Sequence, residues 1–221
     1  MNAIFGISTD TIEKAIGSNS WDLCNDVLYA LCRDRPRHKA TQDVLAKIVI
    51  IGRVHSASLE RRKPSGSFHS DGFLDQIATP AIQGSHIDFW FDELSAASSK
   101  INSERPLDLL LRVHRDLTLL FQKISGQRNR SLAAKYLHCH FPDLFYVFNT
   151  RSAATLRKYV SMRNATFRGE PFADSQYERF FLSCERFNDQ AETCLGRRLS
   201  PRQMDKVLLE LSKQPVPTGM K

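Results

Sequence analysis

Cysteine is scarce and unpatterned in this chain. Five residues, at 24, 32, 139, 184 and 194, form no CxxC pair. The odd number argues against a complete disulfide framework, and the spacing argues against a structural zinc site. Cys24 and Cys32 stand eight apart, on roughly one helix face, and read as buried thiols. Long apolar runs are missing too. Residues 44–52 are the longest candidate and contain Lys47, well short of the roughly 18 apolar residues that span a bilayer. No basic segment followed by an apolar stretch opens the chain, so no secretory signal is expected and a cytoplasmic location is. GxxxxGK[ST], GxGxxG and HExxH are all absent, which removes support for phosphate-loop, dinucleotide and zincin chemistry. His138-Cys139-His140 does not replace them, because neighbours on a helix diverge by about 100° and the two histidines cannot easily share one metal. No metal and no cofactor are expected.

What the chain does have is concentrated positive charge. The whole carries a formal +7. Residues 123–168 hold Lys123, Arg128, Arg130, Lys135, Arg151, Arg157, Lys158, Arg163 and Arg168 against the single acid Asp143, a formal +8, so the remainder sums to −1. A basic region of this density is the footprint of nucleic acid or another polyanion. Phe141, Phe145, Tyr146 and Phe148 are interleaved with it. Aromatic rings among arginines suit base stacking beside phosphate contacts, although rings at a turn between helices also build core. Tyr146 is the one expected nearest a ligand.

Hydrophobic spacing predicts helices almost throughout, and no segment alternates as a strand. Ser8 caps a short helix ending near Gly17, and Ser20 caps a second with Trp21, Cys24, Val27, Leu28, Leu31 and Cys32 on one face. A third runs over about 44–62 and stops before Pro64. Residues 64–70 form a loop, followed by helices near 72–78 and 86–97 with a break at Pro80 and Gly84. Pro106 starts a long helix reaching Ile124. Further helices are predicted over about 131–140, 150–161 and 174–195, with a last one opening at Ser200-Pro201. The expected fold class is all-α, a single domain over 1–213 with a mobile tail at 214–221. A division into lobes at about 1–63 and 71–213 is the alternative.

The segment RSLAAKYLHCHFPDLFYVFNTRSAATL, residues 130–156, resembles the second half of the motif of helix-hairpin-helix DNA glycosylases, the superfamily of the 8-oxoguanine and adenine glycosylases. Together with WDLCNDVLYALC and VLAKIVIIGRVHSASLERRK it is also similar to a group of bacterial proteins of unassigned function. The two likenesses cover about a third of the chain. They imply a helix-hairpin-helix glycosylase-like helical domain, with two lobes around a cleft as one arrangement of it, that binds DNA more readily than RNA and excises or recognises a modified base. As an enzyme it would be an N-glycosylase/lyase, a hydrolase with a degenerate active site. A non-catalytic binding subunit with a protein partner in a bacterial, phage-defence assembly is one alternative; an enzyme acting on a free modified nucleotide is another.

Three positions depart from the glycosylase pattern. The hairpin reads Gln127-Arg128-Asn129 after Gly126, where the superfamily has Gly-hydrophobic-Gly. The lysine nucleophile position is Ser131, and the catalytic aspartate position is Asn149. An amide at 149 can cap the following helix but carries no charge to oppose an oxocarbenium-like sugar. Lys135 lies four residues after Ser131 on the same helical face and is the best remaining amine. The expected catalytic set is Lys135, Ser131 and Asn149, with Arg128, Arg130, Arg151, Lys158 and Tyr146 on nucleic acid. Arg53 and Glu60, seven apart and so on one face, are a candidate pocket pair. No membrane contact is expected.

Overall fold

The computed structural model describes residues 3–59, 72–98 and 106–214. The chain opens with a feature the sequence pattern does not announce: strands β1 (Ala3–Ile4) and β2 (Ile7–Ser8) pair antiparallel. Their two-residue turn, Phe5-Gly6, has positive φ at both positions, 48° and 75°. This is the backbone a tight hairpin needs. It costs Phe5 more than Gly6, and Phe5 is held by a hydrogen bond from its N–H to Gln190 Oε1 at 3.0 Å and by its ring packing on Phe187.

Ten α-helices follow among the described residues, and the expectation of an all-α fold is met. Ser8 caps α1 (Thr9–Ile16). The cap of α2 (Ser20–Asp34) is Asn19 and not Ser20, in a reciprocal box with Asp22. The buried face of α2 also differs from the expected one. It carries Asn25, Leu28 and Cys32, while Trp21, Cys24 and Val27 face outward. A one-residue offset turns a helix by about 100°, and the polar Asn25 on the buried stripe disguised the true register. α3 (Thr41–Val54) stops well before residue 62, correcting the longer helix predicted there. The chain folds back on it at once: Ala57 N–H donates to Gly52 O at 2.8 Å, and a Cβ on Gly52 would sit 3.2 Å from the Ser58 Cα.

A π-helical turn (Leu74–Ala78) runs into α4 (Thr79–Gln83). The widened turn lies just ahead of Pro80, which has no N–H for the usual bond. α5 (Ile87–Ser98) and α6 (Leu107–Ser125) follow. Gly126, at φ 77°, ends α6, and Asn129 caps α7 (Arg130–His140), so that α6 and α7 pack as a hairpin. An irregular passage leads to Asn149, the cap of α8 (Thr150–Tyr159). α9 (Ser175–Leu195) is capped by Asp174, and α10 (Pro201–Leu211) by a Ser200/Gln203 box with Pro201 in its first turn.

α7 is the axis of the molecule. It packs against α2, α3 and α6, and every residue from Leu132 to Cys139 is buried. Ala133 and Ala134 keep its neighbours close. α8 bridges to α9 and α10; α1 lies on α10 and β1 on α9. One buried apolar cluster runs from Ile4 to Leu211. A helix enclosed on all sides is normally apolar all round, so Lys135 and His138 inside α7 are the positions that call for explanation. No helix among the described residues is long and apolar enough to cross a membrane.

Candidate functional site

Lys135 points into a cleft of about 480 Å³ framed by α2, the end of α3, α7, α8 and α10. It is 7% exposed, and its Nζ donates to the carbonyl of His55, just past α3, at 2.8 Å. Burial pushes its pKa below the ordinary lysine value, while the charge of Asp205 pulls the other way. Asp205 lines the same cleft from α10 and is 5% exposed. Burial raises its carboxyl to about 6, against the pull of Arg202 and Lys135. Its ion-pair partner among the described residues is Arg202, NH1 to Oδ2 at 2.8 Å, and its Oδ1 accepts no hydrogen bond. An amine of lowered pKa and a carboxyl of raised pKa thus share one cavity without joining in an ion pair. Shifts in these directions are the ones that favour proton transfer and nucleophilic attack.

The other members of the expected set divide. Asn149 lines the cleft, but its side chain is engaged as a cap, with Oδ1 accepting from Ser152 N at 2.7 Å and Nδ2 donating to Ser152 Oγ at 2.9 Å. Arg151 also lines the cleft, is exposed, and has no carboxylate partner among the described residues. Ser131 is not among the lining residues; its hydroxyl donates to Phe148 O at 3.1 Å. Tyr146 does not face a ligand. It is fully buried, donating from its hydroxyl to Glu185 at 2.6 Å and accepting from Asn188 at 2.9 Å. Phe145 and Phe148 are core. Arg53 is exposed on the last turn of α3, and Glu60 lies outside the described residues.

The basic run is partly neutralised by acids outside it. Arg130 grips Asp174 through Nε and NH2 at 2.9–3.0 Å, and is therefore not available as the phosphate contact expected of it. Burial of Asp174 opposes its ionisation, yet these hydrogen bonds and the Tyr177 N–H prevail and hold the carboxyl below the usual aspartate value. Arg128 pairs with Glu170 at 2.8 Å, and Arg168 with Asp108. Arg151, Arg157 and Lys158, all on α8, stay exposed without a carboxylate partner among the described residues.

Three histidines are held neutral: His55 lines the cleft, and His138 and His140 lie on α7. His138 donates from Nδ1 to Phe145 O and accepts at Nε2 from the Tyr29 hydroxyl, each at 2.8 Å, and burial lowers its pKa to about 4. His55 is lowered to about 3 by burial and by nearby Lys135, and its Nε2 stands 3.8 Å from Cys139 Sγ. His140 is lowered well below the ordinary value by burial. All five cysteines are free, and no group of three potential ligands among the described residues could hold a metal ion.

Asp205 and Arg202 escaped sequence reasoning, as did Trp21 and Asn25 on the opposite wall. A signal for Asp205 existed. Met204, Val207, Leu208 and Leu211 mark the buried stripe of α10, and Asp205 falls within it, four residues after Pro201. An acid in an apolar stripe is either paired or functional. No family model, curated protein or solved structure matches this chain.

Proposed function

We propose that this protein binds nucleic acid, DNA in preference to RNA, across the basic face of α8 and excises a modified base held in the cleft, in the manner of helix-hairpin-helix glycosylases. The observation that carries the reading is the Lys135–Asp205 couple in one cavity, with opposite pKa shifts and no direct ion pair. In this scheme neutral Lys135 Nζ attacks C1′ of the extruded nucleotide, and the N-glycosidic bond breaks with its electrons leaving on the base. Asp205 opposes the positive charge that builds on the sugar and takes the proton that Nζ loses. Returning that proton to the departing base completes the exchange, and opening of the sugar ring leaves an imine on Lys135. Asn149 keeps the start of α8 in place, and Arg151 and Lys158 meet phosphates. The carboxylate role that the resemblance assigns to position 149 passes to Asp205.

Base release from a panel of oligonucleotides with modified bases tests this, with borohydride trapping of the imine alongside. Wild type should release base and trap; Lys135→Met, which keeps the apolar stem and removes the amine, should do neither. Absence of both across the panel would overturn excision. A cleft of about 480 Å³ is also of a size to hold a single nucleotide. Nucleotide binding unaffected by duplex competitor would favour that reading.

A further inference from the structure

Hydrogen-bond accounting in the cleft leaves acceptors without donors. Asn25, on α2, is 3% exposed, and its Nδ2 donates to Trp21 O at 2.7 Å. That bond fixes the amide: the other end is the oxygen, and Asn25 Oδ1 is buried with no partner. Across the cleft, Asp205 Oδ1 is likewise buried and unpartnered. The nearby cations are already engaged. Arg202 serves Asp22 and Asp205 Oδ2, and Lys206 serves Asp22 and the carbonyl of Gly17. Buried acceptors left without donors are costly and uncommon. At the rim of the same cleft, Trp21 is 59% exposed, so its ring has a face open to a flat partner.

From this we infer that the cleft takes a planar nitrogen heterocycle presenting an N–H donor on its edge, with Trp21 against its face and Asn25 accepting from that edge, while Asp205 Oδ1 stays free for the sugar and Lys135. This rests on the reading that a base enters the cleft, and it adds which bases. A lactam-type ring, with an N–H beside its carbonyl, satisfies the Asn25 acceptor. A ring offering only acceptors, or one alkylated at the ring nitrogen, leaves it bare. Sites built to hydrogen-bond an N–H reject analogues that lack it far more strongly than apolar pockets reject a size change.

Free nucleosides serve as probes, read by the emission of Trp21 in a Trp90→Phe background. Guanosine and inosine carry the N–H beside the ring carbonyl, and 1-methylinosine does not. The first two should bind alike and the third at least tenfold more weakly. Asn25→Leu, close in shape, should erase most of the preference, and the exposed Trp21→Ala, checked for intact helicity and read by titration calorimetry because it lacks the reporter ring, should weaken all three alike. Equal binding of the three, or no change in Trp21 emission, would overturn the inference even if Lys135-dependent base release is observed. Selective quenching with no base release would uphold it while removing excision.

Discussion

Lys135 and Asp205 are seventy positions apart, and their value to each other is entirely spatial. Lys135 was singled out from the sequence because it lies one turn beyond the position where the motif it resembles keeps its nucleophile, and its place in the cleft is what the structure adds. Asp205 was marked only as an acid in the apolar stripe of α10, and nothing local tells it that it will face an amine on α7. Its raised pKa has a definite sign. The folded state holds the Asp205 proton more tightly than the unfolded chain, whose carboxyl titrates near 3.8. Stability contributed by Asp205 is therefore full below that pH and is lost as pH rises toward 6, an effect of about 3 kcal/mol. Asp205→Asn should flatten that decline in denaturation curves collected from pH 4 to 8. Single-turnover base release should rise through an acid limb near pH 6 in the wild type, as Asp205 ionises. The limb should vanish in Asp205→Asn along with most of the rate; an unchanged limb would take Asp205 out of the chemistry.

Among the elements, the starts of α8 and α10 were read to the residue, because Asn149, Ser200 and Pro201 are strong start signals. α2 and α3 were misread for two different reasons. In α2 a polar side chain occupies the buried stripe, and in α3 a fold-back at Gly52 ends a helix whose composition would have continued it. The β-hairpin was invisible because two-residue strands carry no periodicity. Asn149 allows a clean separation of roles at this scale. Asn149→Ala removes the cap of α8 and should cost about 1 kcal/mol in urea denaturation. Asn149→Asp keeps the cap and adds a carboxylate to the cleft that holds Lys135, so stability should hold. If the charge is what matters, imine trapping should quicken; trapping slowed to the level of the alanine variant would mean that the amide itself is required.

For the whole molecule, the dense positive charge of residues 123–168 was legible, but its availability was not. Three of its arginines are matched by Asp108, Glu170 and Asp174, all outside the segment, and only the fold brings them together. Arg130 and Arg151 should accordingly behave as opposites. Arg130→Ala strands the buried Asp174 carboxylate and should destabilise the fold by about 3 kcal/mol. Arg151→Ala should leave the melting temperature within a degree or two, weaken duplex binding regardless of sequence, and lower the salt slope of log K by about 1. Equal slopes for wild type and Arg151→Ala would separate this face from phosphate recognition.

The cleft draws one wall from α2, near the start of the chain, and another from α10, near residue 211, with Lys135 between them. A polypeptide emerging from the ribosome would complete α7 long before α10. During that interval it would possess the amine without the acid and half a cavity in place of a whole one. Synthesis itself thus imposes an order on the site: Lys135 and Asp205 cannot share a cavity until α10 has been made and has docked.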